Sequence, residues 1–146
     1  MVVFGDGRVA MNVYARPPAG AAQMVSGCAW LVRHRRNMGG PNAKVYPRTA
    51  VGLDGSRRTL TLMVVDGHRA DYSVGMTPGQ MAEQLIADGV TDAINLDSGG
   101  STTLVMKLGG KWQLINRPSD GSQLFIPISL ERPVANALGI VVGAGH

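Results

Sequence analysis

The chain has 146 residues, 45% of them hydrophobic and 5% aromatic, with a formal net charge of +4. That length and composition suit one soluble globular domain, 1–146, with a sizeable core. No apolar run reaches the roughly 20 residues of a membrane span, and a single cysteine excludes an internal disulfide. Eleven of the fourteen basic residues are arginine, whose planar fork matches phosphate and carboxylate better than lysine does.

The opening, Met1-Val2-Val3-Phe4-Gly5-Asp6-Gly7, lacks the basic region and long apolar core of a signal peptide. The compartment stays open: cytoplasmic as the chain stands, or exported as part of a longer protein. Pro17-Pro18-Ala19-Gly20 reads as a loop. Cys28, between Gly27 and Ala29-Trp30, reads as a buried small residue and not a nucleophile. Arg33-His34-Arg35-Arg36 is a compact basic cluster, but few aromatics accompany it. It reads as a solvated turn between strands, and nucleic acid is the least favoured partner.

Arg48–Leu53 and Thr59–Val65 form an expected hairpin, with Arg48 and Gly52 at strand ends and Asp54-Gly55 and Asp66-Gly67 as turn signals. Thr77-Pro78-Gly79-Gln80 is a capping box with proline at the first helical position. Met81, Ala82, Leu85 and Ile86 then share a face, and Gly89 stands where a left-handed residue ends a helix. The spacing predicts a helix over 78–88. Farther on, Leu108-Gly109-Gly110-Lys111 predicts a turn joining strands Thr102–Lys107 and Trp112–Ile115. Pro118–Ser122 reads as a loop, and a last strand is expected over Ala137–Val142. Strands outnumber helices and do not alternate with them, so the expected class is α+β, a mostly antiparallel or mixed sheet with one clear helix.

The most informative stretch is Asn95-Leu96-Asp97-Ser98-Gly99-Gly100-Ser101-Thr102-Thr103. An apolar run delivers a carboxylate into a glycine turn lined with hydroxyls, as a site for sugar or phosphate oxygens requires. The bland alternative is a polar turn in which Asp97 caps its own backbone. Around it stand Pro47-Arg48-Thr49-Ala50-Val51-Gly52, Asn116-Arg117-Pro118-Ser119-Asp120 and Arg132-Pro133-Val134-Ala135-Asn136-Ala137-Leu138-Gly139. In this order and spacing the blocks resemble the phosphodiester glycosidase family, and Ala22–Val32 looks like that family's earlier strand pair. The likeness runs from about residue 20 to the end. Two departures are visible. Ser98 replaces the first glycine of the family's usual D-G-G-G-S turn, a substitution that strains the backbone if φ there is positive. The family's upstream N-G-x-F-F block is also absent, so the chain is expected to be a shortened member or a fragment.

The resemblance implies hydrolysis of a sugar-1-phosphodiester. Such a reaction needs the phosphate charge held and a carboxylate beside an oxocarbenium-like transition state. Asp97 is the candidate carboxylate and Glu131 the second acid. Arg48 and Arg132 are candidates for holding phosphate, with a structural ion pair as their ordinary alternative. Asn95 and Asn136 suit sugar hydroxyls or the orientation of Asp97. Gly99, Gly100, Ser101 and Thr102 complete the substrate-binding set; Thr102 and Thr103 should face opposite sides if the strand has begun there. His34 and His68 read as surface residues. No metal-ligand spacing occurs and no cofactor is expected, although Asp97 and Asp120 offer the oxygen ligands that a hard divalent cation takes. Three functions follow in order: a phosphodiester glycosidase, a non-catalytic sugar or sugar-phosphate binding module on the same fold, and a nucleic-acid-binding domain. The sugar and the oligomeric state are not encoded in any motif.

Overall fold

The computed structural model of the chain describes residues 1–40, 44–120, 131–135 and 137–142. Short apolar segments pair into strands β1 (Val2–Phe4), β2 (Val9–Ala10), β3 (Ala21–Met24), β4 (Ala29–Arg33), β5 (Arg36–Asn37), β6 (Arg48–Asp54) and β7 (Leu60–Val65). Helix α1 (Pro78–Ala87) precedes β8 (Val90–Ser98), β9 (Val105–Leu108) and β10 (Lys111–Leu114). The main sheet has five strands in the order β5-β4-β8-β6-β7; a three-stranded sheet, β2-β1-β3, and the β9–β10 hairpin stand apart from it. Every pairing among these strands is antiparallel. The architecture is therefore α+β, with a single helix among the described residues.

The capping box forms as its residues predict. The Thr77 hydroxyl accepts from Gln80 N at 3.1 Å, and the Gln80 side chain accepts from Thr77 N at 2.9 Å. Satisfying two backbone N–H groups that the first turn would otherwise leave unpaired fixes where α1 begins. Its face then buries Met81, Ala82 and Leu85 against Leu31, Val32, Ala50, Val90 and Ala93 of the main sheet. Complete burial of a Leu or Met side chain contributes about 1.5–3 kcal/mol, so this face and not intrinsic propensity holds the helix down. The opposite face of the sheet buries Val51, Leu53 and Ile94 with Met1 and Met11. Alternation along β8 thus sends Ala93 toward the helix and Ile94 away from it.

The β6–β7 hairpin runs from Arg48 opposite Val65 to Leu53 opposite Leu60. Because β6 continues to Asp54, Gly52 lies inside the strand and not at its end; a Cβ there would collide with Val90. The basic cluster is the two-residue turn between β4 and β5, with His34 and Arg35 both at positive φ and exposed. The turn at Gly109-Gly110 has φ of 55° and 79°, the left-handed pair that a tight hairpin demands. Two strand expectations fail. Residues 99–101 form a single 3-10 turn, so pairing starts at Val105 and not at Thr102. Ala137–Val142 is not assigned as a strand and pairs with no ladder among the described residues; Val141 and Val142 stand 95% and 88% exposed. Apolar β-branched residues there satisfy strand propensity without a neighbouring edge among the described residues, and propensity alone does not make a strand.

Candidate functional site

Strand β8 carries a carboxylate near each end, and their surroundings separate structure from chemistry. Asp92, 2% exposed, accepts from Arg57 Nη2 at 2.8 Å and from the His34 backbone N–H at 3.1 Å. Both contacts tie adjacent turns to the sheet, so Asp92 is a staple. Asp97, at the other end, is exposed. Its Oδ1 accepts from Ser98 N at 2.8 Å. The Ser101 side chain is near enough to act on it as a hydrogen-bond donor, and Arg132 near enough to attract it. The Ser101 bond first, then the Ser98 N–H and Arg132, hold the Asp97 carboxyl below the usual carboxylate range, so it is presented as an anion.

The turn beyond Asp97 is built by glycine. Gly99 takes φ of 71° while Ser98 is extended at φ −140° and ψ 176°, so serine in place of the family's first glycine carries no backbone strain. Gly99 N donates to Pro47 O at 3.0 Å and Thr102 N to Gly99 O at 3.0 Å, which ties the turn to the start of β6. Gly100 is buried, and a Cβ on it would collide with the Asp120 carboxylate and the Arg132 guanidinium.

Arg48 opens β6 directly opposite Ser98. It is 8% exposed, with Nε donating to Met76 O at 2.7 Å and Nη2 to Lys44 O at 3.1 Å. Among the described residues it meets no carboxylate, so the ordinary ion-pair role is not what this arginine performs there. Burial lowers its pKa, with Cys28 and Tyr46 acting the other way. The Tyr46–Met76 bridge carries the carbonyl that receives Nε. Asn95, 4% exposed, donates through Nδ2 to Leu96 O at 2.7 Å, Cys28 Sγ at 3.0 Å and Ser98 Oγ at 3.2 Å. Its Oδ1 is buried without a partner among the described residues. Cys28 is exposed, contrary to the buried role its apolar neighbours suggest: β8 passes so close to Gly27 that no Cβ fits there, and the thiol is left at the surface.

Arg132 grips Asp120 with a two-point fork, Nε to Oδ2 at 2.8 Å and Nη2 to Oδ1 at 3.0 Å. Its pKa is raised mainly by that bond, then by the Asp120 charge, with Asp97 the smallest contributor. Arg132, Asp97, Ser101 and Gly100 therefore meet around one turn, with Arg48 and Asn95 linked to it through Ser98. Glu131 is exposed and forms no hydrogen bond or ion pair among the described residues. Asn136 lies outside the described residues. Thr102 is 1% exposed and sits beneath the turn, while its carbonyl accepts from Asn116 Nδ2 at 2.9 Å. Asn116 also donates to Asp66 Oδ1 at 2.9 Å and receives Leu104 N at 2.7 Å, so it braces the turn from below. Sequence reasoning singled out Asp120 only as a possible cation ligand; its fork on Arg132 has no local signal, since twelve positions separate the two.

The arrangement sets the Asp97 carboxylate beside Ser101 and Arg132 at one turn, with Arg48 buried at the start of the strand paired with Ser98. No group of three or more His, Cys, Asp or Glu that could hold a metal ion occurs among the described residues. Among the described residues no helix is long and apolar enough to cross a membrane. His34 is exposed, as is His68, which stacks edge-on against Tyr46 at 4.9 Å. In the basic cluster Arg33 packs over Trp30 at 4.1 Å.

The family model of the phosphodiester glycosidases matches residues 2–141. The N-acetylglucosamine-1-phosphodiester alpha-N-acetylglucosaminidase of Bos taurus is 34% identical over 119 residues, which cover 69% of this chain and 21% of the bovine protein. The solved catalytic domain of the zebrafish N-acetylglucosamine-1-phosphodiester alpha-N-acetylglucosaminidase, auto-inhibited by its pro-peptide, superposes with a TM-score of 0.55 at 32% identity, over 75% of this chain and 40% of that one. The chain thus spans well under half the length of either relative. With the family match running across nearly the whole sequence and the family's D-x-G-G-S turn folded around Asp97, the chain belongs to the phosphodiester glycosidase family.

Proposed function

We propose that this chain carries the hydrolytic site for a sugar-1-phosphodiester. The observation that carries the reading is the buried Arg48 guanidinium, which meets two backbone carbonyls and the Tyr46 ring but no carboxylate among the described residues, on a residue paired with Ser98 beside the turn that presents Asp97 as an anion. A buried cation without a counter-charge is costly, and a bound phosphate offsets that cost. In this reading Arg48 and Arg132 hold the phosphate, with Asn95 orienting the turn and Ser101 both positioning Asp97 and keeping it ionised. Gly99 gives the ligand close approach to the backbone, and Gly100 makes room for the Arg132–Asp120 pair packed over it.

Water attacks the anomeric carbon, the bond from that carbon to the phosphate oxygen breaks, and the products are the free sugar and a phosphomonoester. Asp97 stabilises the positive charge that develops on the sugar ring. The departing phosphate oxygen needs little protonation, because a phosphomonoester is already a good leaving group, so one carboxylate and two arginines suffice for this step. Glu131 is the second acid in this reading if a base is needed for water, and Asn136 a sugar contact. No cofactor is assigned, and a divalent cation beside Asp97 is a lesser variant that added chelator would expose. A binding module without turnover is the second reading; it is favoured by the exposed, unengaged position of Glu131.

The test is hydrolysis of a methyl glycosyl-1-phosphodiester in ¹⁸O-water followed by ³¹P NMR. Conversion to methyl phosphate with the isotope only in the sugar supports the glycosidase. Isotope in the phosphate means attack at phosphorus, and binding without conversion selects the binding module.

A further inference from the structure

Asp120 lies outside every catalytic role described above, yet it occupies the centre of the turn's architecture. Both of its oxygens are engaged by Arg132, at 2.8 and 3.0 Å, in the parallel two-bond geometry that fixes a guanidinium in direction as well as position. The pair rests on Gly100, where a Cβ would strike both partners. Neither member is deeply buried: the side chains are 48% and 32% exposed. An exposed pair of this kind adds little to stability. A pair that contributes little to stability, and over which the backbone has given up a side chain, suits control of geometry.

From this geometry we infer that Asp120 is a positioning residue, which holds the Arg132 fork flat over Gly100 and turns the guanidinium's free edge toward Asp97 and the ligand phosphate. The inference rests on the proposed phosphodiester site. Arg132 has five N–H donors, and Asp120 takes two of them. The remaining donors lie on the Nη edge, and Arg132 is close enough to Asp97 for each to influence the other's ionisation. Without Asp120 the long arginine side chain regains its rotamer freedom and collapses onto Asp97, the nearest remaining carboxylate. That would neutralise the group on which the sugar's charge depends. Asp120 thus serves two ends: it aims one cation at the phosphate, and it keeps that cation from pairing fully with Asp97. Gly100 enforces the same arrangement from beneath by steric exclusion.

The experiment uses three variants of the whole chain, Asp120→Asn, Asp120→Glu and Gly100→Ala. Two readouts are taken: ¹⁵N NMR of the Arg132 Nε–H, assigned by its loss in Arg132→Lys, and KM and kcat for a methyl glycosyl-1-phosphodiester. In the unmodified chain the Nε–H should be slow to exchange with solvent. Asp120→Asn should lose that protection and raise KM about tenfold, and Asp120→Glu should recover part of both. Gly100→Ala alters neither charge and should reproduce the rise in KM by displacing the pair. A protected Nε–H in Asp120→Asn, or a fall in melting temperature with KM unchanged in Asp120→Asn and Gly100→Ala, overturns the inference. If the unmodified chain does not turn over the diester, the proposed reaction fails, while the Nε–H exchange still decides whether Asp120 fixes Arg132. Should Asp120→Asn not fold, Gly100→Ala gives the decision alone.

Discussion

Replacing Arg48 by lysine separates an anion-holding role from a structural one. The positive charge is kept, but the two-directional reach of the guanidinium is lost. In the folded chain Nε donates to Met76 O at 2.7 Å and Nη2 to Lys44 O at 3.1 Å. A lysine ammonium on a single flexible stem can retain one of these carbonyls and not both. Hydrogen bonds from a charged group are worth about 1.5–3 kcal/mol each, so Arg48→Lys should destabilise the fold by about 2 kcal/mol in urea denaturation. The effect on ligand is separate. If the remaining edge of the fork holds phosphate, losing it should weaken the dissociation constant of a methyl glycosyl-1-phosphodiester by about tenfold to a hundredfold in calorimetry. Destabilisation with unchanged affinity would make Arg48 a structural strut and remove the proposed phosphate contact. Unchanged stability as well would mean that the bonds to Met76 O and Lys44 O do not hold the fold.

Ser98→Gly should destabilise the chain by about 1 kcal/mol in the same denaturation assay, because Ser98 is extended and glycine gains nothing there while losing the bond from Asn95 Nδ2 at 3.2 Å; a stabilised variant would contradict the turn geometry. Ser101→Ala removes the main hydrogen bond that holds Asp97 ionised, so the acid limb of the kcat/KM profile should move to higher pH, and an unmoved limb would mean that another group sets it. Asp54 accepts from Ser56 Oγ and from the Thr59 and Arg58 backbone N–H groups, which lower its pKa from 3.8 to about 2. Its contribution is therefore fully present above pH 3.8 and lost as pH falls through about 2. Melting curves of Asp54→Asn should lack that part of the acid destabilisation.

What the sequence made legible was local. The capping box, the Arg48–Leu53 hairpin and the double-glycine turn each follow from residues within a few positions of one another, and each is present. The position of Asp97 at the end of a strand entering a glycine turn was legible for the same reason. What was not legible depends on distance. Cys28 looks buried among Gly27, Ala29 and Trp30, yet only the approach of β8 to Gly27 decides where the thiol goes. The partner of Arg132 comes from Asp120, and the role of Gly100 is visible only once both charged groups are seen above it. Ala137–Val142 has the composition of a strand, but composition does not supply an edge on which to pair. The positive φ belongs to Gly99 and not to Ser98, a shift of one residue that periodicity along a strand end does not resolve.

The central claim is that Asp97 acts on the sugar as a charge and not as a cap for its own turn. Asparagine at this position keeps the shape and can still receive Ser98 N through its carbonyl oxygen, but it carries no charge. Turnover of the methyl glycosyl-1-phosphodiester by Asp97→Asn, measured by ³¹P NMR beside binding of the same diester, is the most direct measurement. The expected result is a loss of turnover of about a hundredfold or more with affinity within a few-fold of the unmodified chain. Retained turnover, or loss of folding together with activity, would contradict it and return Asp97 to the part of a turn cap.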